Sequence, residues 1–345
     1  MRKLFIKSLS WEYWPVWMVY FPVSFYFIYL SIKARSLFFF SASNPSIETG
    51  GMFFESKWEI FKLIPKAYFP PTIYVEGGDK MSTIQEQMVI AGIDFPVIAK
   101  PDRGERGWAV KKIHNIETLE AYKTALNVPF LIQTYINYPV ELSVFYFRHP
   151  SQNNGVITSV TYKKLLTIIG DGRSSIGELI QQNDRSYLQY ERLLKQHLID
   201  FTYIPKANEN VLLVPYGNHV LGTTFLNYNH IIDESLTHVF DDLSKQIDGF
   251  YFGRYDLRCA SIEDLKMGKN FSILELNGAG AEPAHIYEPG FSYFKAQYIM
   301  AKHFKMMYSA ARENNKRGVP YMSYKTFKHT KLLEKMYKRK VALVV

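Results

Sequence analysis

A chain of 345 residues, 47% hydrophobic and 21% charged, is long enough for two or three lobes with sizeable cores and is neither disordered nor polytopic. The net charge of +9 favours anionic partners, whether nucleotide phosphates, nucleic acid or acidic lipid, without choosing among them. The single cysteine, Cys259, excludes an intrachain disulfide and fits a reducing compartment.

The first 45 residues differ from the rest. MRKLFIK is basic, residues 13–32 carry no charge, and IKAR leads to a second apolar patch, LFFF. A signal peptide would share the basic start and the apolar run, but its apolar core is usually shorter. The length is borderline sufficient for a membrane span. Against a span, aromatics fill the middle of the run, whereas Trp and Tyr prefer the two interfaces. Lys and Arg on both flanks give no orientation. An interfacial or re-entrant anchor, a true span and a piece of core all stay open.

From about Asn44 the pattern becomes a regular alternation. ESKWEIFKLIP has helical spacing and stops at Pro65. FPVIAK (95–100) reads as a short buried strand, 116–126 as a helix, and 129–136, 141–149 and 155–164 as strands. Residues 176–197 and 236–247 read as helical, followed by a strand pair, YFGRYDLRC and FSILELNG. Residues 291–315 read as a helix and the end of the chain as a basic amphipathic one, more solvated or lipid-facing than suited to nucleic acid. The expected class is α+β with a largely antiparallel sheet.

Three places carry chemistry. Period-two alternation sets Arg254, Asp256 and Arg258 on one face of the first strand of the pair, and Ile273, Glu275 and Asn277 together on the second. If the strands pair, two carboxylates, an amide and two guanidiniums converge, and Glu275 with Asn277 could straddle a hard cation. The bland alternative is a solvated sheet face with salt bridges. In FPVIAKPDRGERGW an apolar strand ends on Lys100, and a loop with Gly104 and Gly107 follows, an arrangement that lets backbone N–H groups approach a phosphate. An ordinary hairpin turn with an exposed lysine fits that stretch as well. Glu282 and His285 follow the strand pair, and Asn218, Thr223 and Thr224 are further candidates for a pocket.

In their order along the chain these segments resemble the ATP-grasp superfamily, over about residues 50–300. The resemblance implies an α+β fold of two lobes clasping ATP. It implies that Lys57 in ESKWEIF and Lys100 hold phosphate, with the glycine loop at Gly104 and Gly107 as a lid. Gln133, Thr134, Tyr135 and Ile136 in LIQTYI would meet adenine, and Glu141 in ELSVF the ribose. Asp256, Glu275 and Asn277 would hold magnesium, two ions being expected, with manganese as a substitute. Arg254 in GRYD would contact the transferring phosphoryl group, helped by Arg258, and Lys163 stands where the family's second lid offers a basic residue.

IIGDGRSSIGELIQQNDRS (168–186) is similar to a run in cyanophycin synthetases, and ELNGAGAEPAHIYEP (275–289) parallels the stretch after the metal ligands in D-alanine–D-alanine ligases. The implied activity is an ADP-forming carboxylate–amine ligase that works through an acyl phosphate at the cytoplasmic membrane face. Another ATP-grasp phosphoryl-transfer enzyme and a membrane-bound ATP-binding regulatory subunit are the alternatives. Expected partners are a carboxylate and an amine, small or lipid-like, and a membrane surface, but not nucleic acid. Glu282 and His285 would flank the substrates. The loop after Asn277 departs from the small-residue loop of those ligases, and the usual N-terminal substrate domain is missing. The expected segments are a membrane-associating 1–45, a lead-in 46–90 with Lys57, a small lobe 91–150, a large lobe 151–320 with the metal set, and a basic tail 321–345.

Overall fold

The computed structural model describes residues 1–104, 107–196 and 199–342. Helices α1 (Arg2–Leu9) and α2 (Val16–Ala34) open the chain. Pro22 sits inside α2 and leaves the carbonyl of Met18 without its helical donor. The hydroxyl of Tyr293 donates to that carbonyl at 3.0 Å, and Gln297 Nε2 donates to Val19 O at 2.8 Å. A proline that would be costly in an isolated helix is therefore accommodated by a neighbouring one. Val19 and Val23 pack with Ala296 and Met300, and Leu30 packs with Phe39, Phe145, Phe252 and Met307. Asn44 then fastens the segment: its side-chain oxygen accepts from the N–H groups of Tyr251 and Phe252, and its amide donates to Gly50 O and Phe252 O.

Helix α3 (Lys57–Leu63) leads to the smaller sheet, whose strands β1 (Thr72–Val75), β2 (Val97–Pro101), β3 (Lys111–Ile113) and β4 (Phe130–Thr134) run in the order β1-β4-β2-β3, all antiparallel. Val97, Ala99, Phe130 and Ile132 bury one face with α4 (Met81–Ile90) and α5 (Ile116–Leu126). The alternation turns Lys100 and Gln133 to the other face, towards the larger lobe.

The larger sheet contains β5 (Val140–Phe147) and β6 (Val156–Lys164). Strand β7 (Leu166–Ile169) instead pairs with β8 (Asn210–Val214) as a separate ribbon. Between β7 and β8 run α6 (Ile176–Gln182), α7 (Asp184–Tyr187) and α8 (Tyr190–Gln196), where the sequence suggested one long helical stretch. Asn183 breaks it by capping α7, its side-chain oxygen accepting from two backbone N–H groups. Strand β9 (Thr224–Asn227), helix α9 (Glu234–Lys245), strand β10 (Phe252–Cys259), helix α10 (Ile262–Lys266) and strand β11 (Phe271–Asn277) complete the lobe, in the sheet order β11-β10-β5-β6-β9.

Tyr255, Leu257, Leu142 and Val144 pack under α9, beside Leu236, Phe240 and Leu243. The opposite face carries the polar residues and is covered at one end by α11 (Tyr293–Lys316). Helix α12 (Tyr324–Ala342) is not merely solvated. Phe327 joins the cluster of Phe38 and Phe53, and Tyr337 and Val341 pack on the core of the smaller lobe.

Candidate functional site

Strands β10 and β11 pair as the alternation requires, Arg254 opposite Asn277 and Asp256 opposite Glu275. The pairing is irregular beyond Asp256, where Leu257 faces Ile273, so one residue of β11 is left over. Ile273, expected beside Glu275, is therefore turned into the core with Leu276, while Glu275 and Asn277 keep the polar face. A bulge of one residue is invisible to a period-two count.

Asp256 is buried and crowded with donors. Arg254 reaches it through Nε at 3.0 Å and through a second nitrogen at 3.1 Å, Ser143 Oγ donates at 2.5 Å, and Asn277 Nδ2 at 3.3 Å. Lys163 Nζ lies 3.3 Å from Asp256 and 3.8 Å from Glu141, and Arg258 Nε donates to Glu141 at 2.9 Å. Cations and carboxylates thus alternate across β10, β5 and β6. Burial alone would raise the Asp256 pKa, but the Arg254 guanidinium and the Lys163 ammonium outweigh it and hold the carboxyl well below the usual range. It is an anion at any physiological pH.

Arg258 is committed elsewhere. Beyond Glu141, its guanidinium donates to the Tyr135 hydroxyl at 3.2 Å, to Ile136 O at 2.9 Å and to Pro215 O at 3.2 Å. It ties 135–136, expected to meet adenine, to the larger sheet. Thr134 N donates to Pro71 O, and Lys112 Nζ stands 3.7 Å over the Tyr135 ring. Gln133 uses both ends of its amide internally, accepting from Lys100 Nζ at 2.9 Å and donating to Thr72 Oγ1 at 2.9 Å.

Lys100 Nζ also donates to Leu274 O at 2.9 Å, one residue from Glu275. Burial pulls its pKa down to about 8, with Glu275 opposing the fall and Lys57 adding to it. Lys57 arrives by a route the sequence did not signal. Asp102, two residues after Lys100, accepts from Ser56 Oγ and Trp58 N, both at 2.9 Å, and its carbonyl accepts from Lys57 N at 3.0 Å. This caps α3 and sets its lysine next to the first.

Lys57 Nζ donates to Gly104 O at 2.5 Å. Gly104 and Gly107 have φ of +133° and +70°, backbone conformations that other residues adopt only with strain, and a Cβ on Gly107 would stand 2.6 Å from Asn218 Nδ2. Residues 105 and 106 of the expected lid lie outside the described residues.

Glu282 and His285 have different surroundings. The Glu282 carboxyl accepts from the hydroxyl of Tyr20 on α2 and from Tyr287 at 2.6 Å, and burial raises its pKa. Its backbone carbonyl accepts from Arg254 at 3.0 Å, so one guanidinium joins it to Asp256. His285 is buried against Ser159 Oγ at 2.6 Å, with its pKa lowered to about 4 by desolvation and by His303 and Lys295 nearby. Between Ser159 and Lys163 on β6, Thr161 Oγ1 is buried without a hydrogen-bond partner. Ser143, Asp102, Tyr20 and Thr161 are the residues that sequence reasoning missed. Asp102, Ser143 and Tyr20 act through contacts remote in sequence, and Thr161 is marked only by its buried, unpaired hydroxyl.

A hard cation fits the donor set. Asp256, Glu275 and Asn277 offer oxygen ligands on one face, and the Glu275 carboxylate makes no hydrogen bond or ion pair among the described residues. No cluster of three His, Cys, Asp or Glu that could hold a metal exists among the described residues, so the candidate ligands are two carboxylates and one amide. Lys57, Lys100, Lys163, Arg254 and Arg258 stand against three carboxylates, Glu141, Asp256 and Glu275. The excess of positive charge suits a polyanion.

No family model and no curated protein matches this sequence. Among solved structures, D-alanine–D-alanine ligase from Bacillus anthracis complexed with ATP matches at a TM-score of 0.43 and 12% identity, covering 78% of this chain and 69% of that one. VanG D-Ala:D-Ser ligase from Enterococcus faecalis matches at 0.42 and 14%, covering 75% and 62%. Bifunctional glutathione synthetase from Pasteurella multocida matches at 0.38 and 17%, covering 72% of this chain. The chain spans 36% of that synthetase's length. Each match covers part of this chain and part of the other, at low identity.

Proposed function

We propose that the protein is an ATP-dependent carboxylate–amine ligase of the ATP-grasp type, acting at the cytoplasmic face of a membrane. The supporting observation is the β10–β11 pair, with Asp256 opposite Glu275 and Asn277 two residues on, faced by Lys100 and Lys163 from two other strands. Asp256, Glu275 and Asn277 would hold magnesium, which when bound neutralises phosphate charge and orients the transferring group. Lys57 and Lys100 neutralise phosphate oxygens in a site already short of negative charge.

In the proposed reaction a substrate carboxylate oxygen bonds to the γ-phosphorus as the bond to ADP breaks. The amine then adds to the carbonyl carbon, phosphate leaves, and the nitrogen gives up a proton. Arg254, held in place by Asp256 and the Glu282 carbonyl, would present its charge to a phosphoryl group as negative charge develops on it. Arg258 serves by position, fastening Glu141 and the adenine-side segment. The carboxylate and amine remain a class, small or lipid-like.

Glu275→Gln is the clean test because it breaks no hydrogen bond. Magnesium-dependent ATP binding, followed calorimetrically, is expected to weaken by roughly 10–100-fold, the cost of losing one charged ligand. Binding of ATP that is indifferent to both magnesium and this substitution would contradict the site.

A further inference from the structure

Helix α2 is hydrophobic all round by sequence, yet it has two faces in the fold. Val19, Val23, Leu30 and Ser31 are buried against α11 and the core. On the other side Trp17, Phe21, Phe25, Ile28 and Ile32 form an exposed stripe with spacings of four, four, three and four residues. Trp17 is 69% exposed, Phe25 61% and Ile32 71%. Side chains of this size leave an apolar stripe on the order of 500 Å² in water, as much as the largest patch on an ordinary monomer. Helix α11, which packs on α2, exposes Phe294 and Tyr298.

Charge narrows what can cover this surface. No Asp or Glu occurs in α1, in α2, or in α11 before Glu313, whereas Lys7, Lys33, Lys295, Lys302 and Lys305 are all exposed. Apolar aromatics bordered by unopposed lysines complement a sheet of anionic headgroups over an acyl interior. A second copy of the same surface would meet like charge.

We propose that α2 lies in the plane of an anionic lipid bilayer, inserting Trp17, Phe21, Phe25, Ile28 and Ile32, while its other face remains packed on the enzyme. A span is compatible with length alone, since 19 residues reach about 28 Å. Spanning would strip Met18 O and Val19 O of Tyr293 and Gln297, and α11, with its lysines and His303, could not follow. Tyr20, turned away from the stripe, bonds Glu282, so an in-plane α2 holds Glu282, and through its carbonyl Arg254, beside the bilayer. The inference deepens the membrane-side part of the proposed function, and it is tested apart from the ligase chemistry.

The experiment adds the full chain, tagged at both ends, to preformed vesicles of phosphatidylcholine with about 30% phosphatidylserine. Flotation is expected, weaker by roughly tenfold or more on vesicles without phosphatidylserine and in a triple variant W17S/F21S/F25S. An external protease is expected to remove both tags. A protected N-terminal tag would show a span and overturn the proposal, as would flotation unchanged in the triple variant. A solution dimer abolished by the same substitutions would overturn it in favour of a second copy. Magnesium-ATP binding by the same preparations separates the two readings. Flotation without ATP binding supports the surface and removes the ligase; ATP binding without flotation does the reverse.

Discussion

Lys100 is the residue on which the proposed phosphate binding and protonation meet. Desolvation lowers its pKa to about 8, so at neutral pH it is mostly charged, and a bound phosphate would raise that value again. Nucleotide binding near pH 8–9 must then take up protons. Calorimetry in buffers of different ionisation enthalpy is expected to show the uptake, and ATP affinity should fall by up to about tenfold per pH unit above 8. Lys100→Met should abolish both effects. An affinity flat from pH 7 to 9.5 would place Lys100 outside the phosphate site. At this scale much was legible. Lys100, Asp256, Glu275 and Asn277 declare themselves by strand alternation and strand ends. Asp102 and Ser143 do not, because their partners lie on other elements, and Thr161 does not, because only its burial without a partner marks it. Arg258 and Gln133 were legible as members of the site, but the sequence could not show that internal hydrogen bonds already engage them.

Between elements, the joint of β6, α11 and the turn after β11 carries the acid sensitivity. His285 bonds Ser159, and His303 bonds Thr158 at 2.9 Å and the carbonyl of Ile299 at 2.8 Å. Burial lowers the pKa of both to about 4, against 6.5 for a free imidazole. Each therefore contributes stability that is fully present above pH 6.5 and is lost as pH falls towards 4, where the folded imidazole at last accepts its proton. The contribution is roughly 3 kcal/mol each at most. Denaturant melts at pH 7 and pH 5 are expected to differ by a few kcal/mol, and His303→Gln should reduce the difference. Equal stability at the two pH values would mean that the imidazoles are not held neutral. Among the elements themselves, α5, α9, α11 and the strand pair were readable from periodicity, since each has one apolar face against one core. The helical stretch 176–197 was not, because Asn183 ends a helix through a side-chain hydrogen bond that a hydrophobic count ignores. Ile273 was misplaced for a similar reason, the bulge in β11.

At the scale of the molecule, the N-terminal segment is part of the body of the protein. Phe39, Phe40 and Ala42 are buried, Asn314 Nδ2 donates to Ala42 O at 2.8 Å, and Asn44 holds the start of β10. Deleting residues 1–45 would expose Ala296, Met300, Met307 and Phe252 together. That truncated protein is expected to lose its cooperative thermal transition and aggregate, as gel filtration and circular dichroism would show. A truncated chain that stays monomeric and melts as the full one does would mean that this packing adds little. The apolar content of 13–32 was plain in the sequence, but the division of α2 into a docked and an exposed face depends on α11, almost three hundred residues away.

Product analysis bears most directly on the proposed amide formation driven by ATP at the Asp256–Glu275–Asn277 face. The purified protein would be incubated with magnesium-ATP and the small-molecule and lipid fractions of a cell extract, and new masses compared with those from Glu275→Gln. The expected result is ADP and phosphate released in equal amounts, with a new compound equal to an acid plus an amine less water, absent with the variant. A stable phosphorylated product without free phosphate, or no ATP turnover in any fraction, would contradict the ligase.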